Sequence, residues 1–313
     1  MLRQPLSGIF QTCLGTAVFI ASPVFLFYNR AKDLLNQLFR QKKRRGAKTM
    51  KIGFIGCGNM ASAMIGGIIK NQVVAPADIL ASAKTEVSRE KKKEELGIAM
   101  TADNREVAAF AEVLILAVKP FYYEDVIKEI RDVVADDTIV VSIAPGKKLT
   151  WIEGLFEKPL KIVRTMPNTP ALVGEGMSCV CGNAKCSSED VDTVCRIFAG
   201  FGKTEIVEED MIDVVVGVSG SSPAYVFMFI EAMADAAVAD GMPRAQAYRF
   251  AAQAVLGSAK MVLETGKHPG ELKDMVCSPK GTTIEAVRVL EEKGLRSAVF
   301  EAMKACVKKG REV

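Results

Sequence analysis

Residues 50–61 read Met50-Lys51-Ile52-Gly53-Phe54-Ile55-Gly56-Cys57-Gly58-Asn59-Met60-Ala61. The apolar run at 51–55 predicts a short strand, and the apolar spacing after Ala61 predicts an amphipathic helix. Between them, Gly56 permits a tight turn, and Gly58 has no Cβ and lets the backbone approach a phosphate. A glycine turn with a purely steric role is the alternative. Strand, turn and helix together favour a dinucleotide site, with the pyrophosphate on the free N–H groups at the helix start.

The chain from residue 51 to about residue 210 alternates between strand and helix patterns. Strand patterns lie at 51–55, 79–82, 112–118, 138–142, 161–166 and 177–181, and helix patterns follow the glycine turn and lie at 87–96, 124–133 and 189–199. Such alternation predicts an α/β fold, a parallel sheet with helices on both faces. The dinucleotide should lie across the carboxyl ends of the strands.

The end of the strand at 79–82 bears on the choice of coenzyme. Enzymes that use NAD usually place an Asp or Glu there to bond the ribose 2′-hydroxyl, and that carboxylate would repel a 2′-phosphate. This chain has Ser82-Ala83-Lys84 instead. A hydroxyl beside a cation favours NADPH, with NADH as the alternative, although Ser and Lys are also ordinary residues of a surface loop.

The strand pattern at 112–118 closes with Ala117-Val118-Lys119-Pro120. Pro120 stops the strand, because it cannot donate to a sheet hydrogen bond. Lys119 would leave the sheet on the coenzyme side, although a solvated lysine at a strand end is equally ordinary.

The composition of the 313 residues indicates a globular enzyme-sized protein. A hydrophobic content of 49% allows a sizeable core and suggests two domains. Residues 1–50 contain nine Lys/Arg and one Asp, so the other 32 Lys/Arg and 36 Asp/Glu leave residues 51–313 with a net charge of −4. A mildly acidic body argues against nucleic acid as a partner.

The eight cysteines are dispersed, which is typical of reduced thiols in a cytoplasmic protein. One cluster, Cys179-x-Cys181-x4-Cys186, lacks a fourth nearby ligand, and the only histidine, His268, is distant in sequence. We therefore predict no metal site.

Residues 1–49 differ from the rest of the chain. An apolar run at 9–27 has about the length that spans a bilayer, and basic residues follow it. It could be an anchor, a targeting peptide or an upstream extension before a true start at Met50. The third interpretation is favoured, because the first strand begins directly after Met50. We expect the folded protein to begin there and to be cytoplasmic, with membrane contact only if 9–27 is a real anchor.

The segment 211–313 shows helical patterns with little strand signal. They lie at 222–239, 244–264, 283–292 and 295–309, and they are rich in Ala and Met. Helices that are apolar on more than one face need a large partner surface, so we expect an all-α domain that mediates contact between subunits. The predicted domains are thus 50–210 and 211–313, after the extension 1–49.

The segment 269–286 reads Pro269-Gly270-Glu271-Leu272-Lys273-Asp274-Met275-Val276-Cys277-Ser278-Pro279-Lys280-Gly281-Thr282-Thr283-Ile284-Glu285-Ala286. Five shorter segments precede it in chain order: Gly56-Cys57-Gly58-Asn59-Met60, Asp103-Asn104, Ala117-Val118-Lys119-Pro120, Met166-Pro167-Asn168-Thr169-Pro170 and Val218-Ser219-Gly220-Ser221-Ser222-Pro223-Ala224-Tyr225. Through these segments the sequence from Met50 to the C-terminus resembles the pyrroline-5-carboxylate reductase family, which catalyses the last step of proline biosynthesis.

The resemblance implies a Rossmann domain joined to a helical dimerisation domain, with dimers often assembled into a decamer. It implies hydride transfer from NADPH or NADH to the C=N carbon of 1-pyrroline-5-carboxylate, which gives L-proline. On the coenzyme side, Gly56 to Met60 are expected to hold the pyrophosphate. Ser82 and Asn104 would lie near the adenosine ribose or its 2′-phosphate, and Ala117 to Pro120 would line the nicotinamide ribose.

On the substrate side, the resemblance assigns the loop from Ser278 to Thr283. Its backbone N–H groups and hydroxyls, with Ser278, Gly281 and Thr282, would hold the substrate carboxylate. Thr283 would hydrogen-bond the ring nitrogen and is the expected catalytic residue. A cyclic imine is basic enough to enter protonated, so a strong protein acid is less necessary than for a ketone. His268 precedes a proline at a predicted helix start and is interpreted as a helix-start residue.

Two positions depart from the family pattern. Lys280 stands where Gly, Ala or Asn is usual, and it either adds a cation near the substrate carboxylate or points into solvent. Pro145 replaces a more common Ala and removes one N–H donor. Both bear on carboxylate binding and leave the family resemblance intact.

Two other classes of function compete with the reductase. Dehydrogenases of the 3-hydroxyacid or 6-phosphogluconate type use a second catalytic Lys in an early C-terminal helix, whereas residues 211–241 contain no Lys. An NADP-sensing or scaffold protein without turnover would not need the loop 278–283. Both alternatives are therefore disfavoured.

Overall fold

A sheet of eight strands occupies the first part of the computed structural model, which describes residues 50–312. The strands are β1 Ile52–Ile55, β2 Ile79–Ser82, β3 Ala99–Thr101, β4 Val113–Leu116, β5 Ile139–Ser142, β6 Lys161–Met166, β7 Gly176–Gly182 and β8 Gly202–Ile206. Their order across the sheet is β3-β2-β1-β4-β5-β6-β7-β8. Because β1 lies between β2 and β4, the connections leave in opposite directions on its two sides, which makes this position the topological switch point.

The sheet is parallel at every pairing except the one between β6 and β7. The predicted parallel sheet is confirmed at the other six pairings, and β6–β7 is the one antiparallel exception. Only residues 167–175 connect the two strands, and a parallel neighbour would need a crossover of about a dozen residues or more. The strand therefore turns back beside its predecessor.

Both faces of the sheet are covered, as a mainly parallel sheet requires. Ile52 and Phe54 of β1 face one core cluster, while Ile55 faces the other. All four residues of β1, β2, β4 and β5 are buried. The continuous apolar runs seen in the sequence are thus explained by burial on two sides.

Six helices accompany the strands within residues 50–206. They are α1 Asn59–Lys70, α2 Glu86–Leu96, α3 Asn104–Phe110, α4 Tyr123–Ile130, α5 Leu149–Phe156 and α6 Ser188–Phe198. Sequence patterns missed β3, β8, α3 and α5. The two strands lie at the sheet edges, where residues are partly exposed, and α3 has only seven residues, so their periodicity is weak.

Every element described after residue 208 is helical. The helices are α7 Ile212–Val215, α8 Ser222–Ala239, α9 Arg244–Thr265, α10 Pro269–Val276, α11 Thr282–Glu292 and α12 Leu295–Gly310, with one π-helical turn at Val216–Gly220. In residues 50–312, one helical stretch, Glu209–Ala239, is long and apolar enough to cross a membrane by length and composition alone, which is weak evidence by itself. The apolar run at 9–27 lies outside the described residues.

A buried arginine joins the sheet to the first of these helices. Arg164 of β6 is 1% exposed, and its guanidinium lies 3.1 Å from Glu209 and 3.5 Å from Asp213 of α7. Glu209 also accepts the backbone N–H of Leu149 at 2.7 Å. These charge-assisted bonds fix the start of the helical segment against the sheet.

Candidate active site

The glycine turn after β1 leaves open space over the start of α1. Gly56 has φ +90°, and a Cβ there would lie 2.8 Å from Cγ1 of Val118, so the fold itself requires glycine. At Gly58 a Cβ would meet no atom within 4 Å, so the protein interior does not require glycine there. No side chain caps α1, and its first turn holds no acidic residue. Free N–H groups without a carboxylate fit an anionic pyrophosphate.

The other three residues of the turn differ in exposure. Cys57 is buried, and this burial raises the pKa of its thiol, so it stays protonated at neutral pH. Asn59 is exposed at the first helical position, and Met60 is half-buried against the core. Only the Gly58–Asn59 side of the turn therefore faces outward.

The end of β2 is hydrogen-bonded to the glycine turn. The Ser82 hydroxyl, in a residue 3% exposed, donates to Oδ1 of Asn104 at 2.7 Å. The Ser82 hydroxyl oxygen also accepts the N–H of Gly56 at 3.2 Å. The structure thus brings together the residues expected on the adenosine side, and the Ser82 hydroxyl is already engaged within the protein.

A second cation near this strand end was missed by sequence reasoning. Arg89 of α2 donates to the backbone oxygens of Ala83 and Lys84, both at 3.0 Å. Its guanidinium thereby holds the turn that carries the exposed Lys84. A helix pattern alone could not show that Arg89 folds back on the preceding turn.

The segment that closes β4 lies beside the glycine turn. The N–H of Ala117 donates to the oxygen of Ile55 at 2.8 Å, and Val118 packs against Gly56. Lys119 is exposed, and Pro120 opens a short 3-10 helix. Ala117 to Pro120 therefore lie on the β1/β4 switch point.

The buried phenol of Tyr123 is hydrogen-bonded to the end of β4. Tyr123 donates to the backbone oxygen of Leu116 at 2.6 Å, and its own oxygen lies 3.3 Å from the Ser142 hydroxyl. Burial raises the pKa of Tyr123 well above its usual range. The phenol therefore stays protonated and acts as a fixed structural donor.

The segments 166–170 and 218–225 meet at the π-helical turn. Nδ2 of Asn168 donates to the Ser219 oxygen at 3.0 Å, while Oδ1 of Asn168 accepts the N–H of Met177 at 2.9 Å. A Cβ on Gly220 would lie 3.1 Å from Cε of Met166. π-Helical turns are frequent at functional sites, and this one packs on the carboxyl end of β6.

The loop 278–283 forms a tight turn before α11. The N–H of Gly281 donates to the Ser278 oxygen at 3.0 Å, and Lys280 at the third turn position has φ 60°. Gly281 is the N-cap of α11 and provides no side-chain cap, so the first-turn N–H groups are open. Thr282 is exposed and Thr283 half-buried. Within residues 50–312, no hydrogen bond joins this loop to the sheet.

Two other groups considered from the sequence have structural roles. Nδ1 of His268 accepts the N–H of Gly270 at 3.0 Å, so His268 caps α10 as expected of a helix-start residue. Among residues 50–312, no group of three His, Cys, Asp or Glu could hold a metal ion. Cys179 is buried, and burial raises the pKa of its thiol to about 11.

Comparisons with known proteins agree with this geometry. A family model described as pyrroline-5-carboxylate reductase dimerisation matches residues 209–313, and one described as NADP oxidoreductase, coenzyme F420-dependent, matches residues 51–146. The pyrroline-5-carboxylate reductase of Escherichia coli K12 is 56% identical, covering 84% of this chain and 98% of its own. The Methanosarcina acetivorans enzyme is 42% identical over 85% and 98%.

Solved structures give the same answer. The pyrroline-5-carboxylate reductase of Coxiella burnetii is 36% identical with a TM-score of 0.79, covering 85% of this chain and 98% of its own. The Plasmodium falciparum enzyme, solved with NADP bound, is 30% identical with a TM-score of 0.78, covering 85% and 99%.

The fold and the glycine turn define an NAD(P)H-dependent oxidoreductase with a Rossmann-type domain. Its helical segment matches a dimerisation model, so the protein self-associates. With relatives more than 30% identical over most of their length, the chain belongs to the pyrroline-5-carboxylate reductases, which reduce 1-pyrroline-5-carboxylate to L-proline in proline biosynthesis.

Proposed function

We propose that residues 50–210 bind the coenzyme and residues 211–313 bind the imine substrate and form a dimer. One observation carries the coenzyme assignment. The glycine turn, the end of β2 and the end of β4 converge at the switch point, and the first turn of α1 is left open there. Open sheets of this kind bind dinucleotides at that position.

The proposed coenzyme residues divide into three groups. Gly56, Cys57, Gly58, Asn59 and Met60 cradle the pyrophosphate, mainly through backbone N–H groups at the start of α1. Ser82 and Asn104 lie on the adenosine ribose side, and the exposed Lys84 favours a 2′-phosphate. Ala117, Val118, Lys119 and Pro120 line the nicotinamide ribose. When bound, the reduced nicotinamide supplies the hydride.

The proposed substrate site is the loop before α11. Ser278, Gly281 and Thr282 hold the carboxylate, which the uncapped N–H groups of α11 support. The Thr283 hydroxyl oxygen accepts a hydrogen bond from the N–H of the protonated ring nitrogen. The turn around Lys280 presents these groups together, since its hydrogen bond closes from Gly281 to Ser278.

The chemistry that these groups support is catalysis by positioning. The imine enters protonated, so hydride transfer neutralises a cation and needs no strong protein acid. His268 is occupied as a cap, and the buried Tyr123 is held protonated, so neither serves as a proton source in this scheme. Fixing the ring carboxylate and nitrogen against the coenzyme then provides most of the rate enhancement.

We further propose that the self-associating unit is a homodimer, that dimers assemble into a decamer, and that the protein works in the cytoplasm. Large apolar side chains of the helical segment support association, since Phe227 is 62% exposed in one chain. The mass in solution tests the assembly directly.

Coenzyme oxidation by the purified full-length chain tests the function. NADPH and NADH absorbance is followed with and without 1-pyrroline-5-carboxylate, and proline is measured in the product. Oxidation that depends on the imine and matches the proline formed is expected. Coenzyme binding without such oxidation would overturn the proposed reaction while leaving the fold assignment in place.

A further inference from the structure

A chain of three hydrogen bonds connects α4 to the glycine turn. Oε2 of Glu129 accepts from Nδ2 of Asn104 at 2.8 Å. Oδ1 of Asn104 accepts from the Ser82 hydroxyl at 2.7 Å, and Ser82 accepts the Gly56 N–H at 3.2 Å. Glu129 lies outside every sequence motif considered above, yet it ends this chain.

The carboxylate sets the direction of each bond in the chain. An ionised Glu129 can only accept, so the amide of Asn104 must turn Nδ2 toward it and Oδ1 toward Ser82. Ser82 must then donate to Asn104, which leaves its lone pairs for the Gly56 N–H. Without the carboxylate, the amide could flip and reverse these roles.

A second hydrogen bond, to the backbone oxygen of Glu129, holds this residue in place. The guanidinium of Arg105, next to Asn104 on α3, donates to the backbone oxygen of Glu129 at 2.8 Å. Residues 104 and 105 thus bind the side chain and the main chain of the same glutamate. The carboxylate is therefore held at the start of α3 even though the residue is exposed.

This position places a negative charge on the adenosine side of the site. A 2′-phosphate carries a charge of about −1.5 to −2 at neutral pH, whereas a 2′-hydroxyl is neutral. Lys84 on the neighbouring turn provides the opposing positive charge. The charges of Glu129 and Lys84 therefore both act on NADPH, which carries the 2′-phosphate. They leave NADH nearly unaffected.

Building on the proposed function, we propose that Glu129 is a positioning residue with two effects. It orients the Asn104 amide for the adenosine ribose of either coenzyme, and its charge weakens binding of the 2′-phosphate. Glu129 thereby limits the preference for NADPH over NADH.

Fragments that differ only in the 2′-phosphate separate the two effects. Affinities of 2′,5′-ADP and 5′-AMP are measured by calorimetry for the full chain and for Glu129→Gln, which removes the charge and keeps an acceptor. We expect Glu129→Gln to bind 2′,5′-ADP about threefold more tightly and 5′-AMP with nearly unchanged affinity, because one solvent-screened repulsion of the 2′-phosphate is removed. Glu129→Ala should also raise the ratio of the affinity for 2′,5′-ADP to the affinity for 5′-AMP. It should lower the affinity for 5′-AMP about threefold, since the Asn104 amide loses its hydrogen-bond partner.

Asp136→Asn is the matched control. Asp136 is exposed on the loop between α4 and β5, before the amino end of β5 and not at the carboxyl ends of the strands. Its neutralisation should leave the ratio of the two affinities unchanged. An unchanged ratio in Glu129→Gln, or an equal rise in the control, would overturn the role of Glu129. If the unmodified chain binds neither fragment and does not reduce the imine, the proposed function fails as well, so the two failures are distinct.

Discussion

The sheet region, residues 50–206, and the helical region, residues 209–312, bury their apolar side chains differently. In the sheet region, Ile52, Phe54 and Ile115 are 0% exposed, while in the helical region Phe227 and Phe250 are 62% and 61% exposed. A single chain therefore supplies a complete core for the sheet and leaves the helices partly uncovered. The apolar side chains of the sheet are thus covered within one chain, whereas those of the helices are left for a partner surface.

The small residues of the helical region explain how this arises. In α8 only Ala234 is buried, and in α9 only Ala247 and Ala251 are buried. Alanine allows the two helices to approach closely, and the large side chains are thereby turned outward. The helical pair is thus built to present an apolar surface to another copy.

The largest expected effect breaks the link between the two regions. Arg164→Ala should lower the free energy of unfolding by about 3–5 kcal/mol, because it leaves Glu209 and Asp213 without their partner and opens a cavity. Urea denaturation measures the loss. Arg288→Ala, whose ion pairs on α11 are exposed, should cost less than about 1 kcal/mol. Equal losses would contradict the contrast between buried and exposed pairs.

A charge on the uncovered surface tests its role in association. Phe227→Glu should weaken self-association by at least about a hundredfold, since a buried carboxylate replaces an aromatic side chain in both copies. Sedimentation measures the mass, and near-ultraviolet spectra check that the sheet stays folded. Val87→Glu, at a residue 80% exposed on α2, is the control and should not change the mass. A dimer as tight as that of the unmodified protein would remove Phe227 from the interface.

A substitution at Thr283 tests whether the sheet region binds the coenzyme and the helical region binds the substrate. Thr283→Val should lower turnover of the imine about tenfold to a hundredfold, because it removes the proposed hydrogen bond to the ring nitrogen. Coenzyme affinity should stay within about twofold, since the proposed coenzyme contacts lie in the sheet region. Steady-state kinetics and coenzyme titration measure the two quantities. Thr193→Val, at a half-buried position on α6 in the sheet region, is the control. An unaltered rate would remove Thr283 from the mechanism.

The smallest expected effect concerns the backbone of the loop 278–283. Lys280 adopts φ 60°, a left-handed conformation that costs a side-chain-bearing residue about 1–2 kcal/mol. Lys280→Gly removes this cost but adds freedom to the unfolded chain, so the net stabilisation should be at most about 1 kcal/mol. Thermal unfolding measures it, and the KM for the imine shows in the same variant whether the lysine charge attracts the carboxylate. A loss of stability would show that the lysine side chain has a contact that outweighs the strain.

Much of the fold and the coenzyme side could be predicted from the sequence. The strand at 51–55, the glycine turn and the helix after it are encoded locally, because burial on two faces, a positive φ and a helix start each require particular residues in a short window. The family resemblance, carried by segments such as 269–286, is confirmed by relatives that cover most of their own length. The roles of single site residues remain predictions.

Other features depend on residues that are far apart in the sequence. The strand at 177–181 was predicted but its antiparallel direction was not, because the short connection and the free edge of β6 set that direction. Glu129 contacts Asn104, although its local pattern shows only the solvated face of a helix. Arg164 contacts Glu209, although its local pattern shows only a strand. Local sequence determined which segments form strands, turns and helices, since those preferences act over a few residues. Only the tertiary structure decided which side chains meet, because that depends on how distant elements pack.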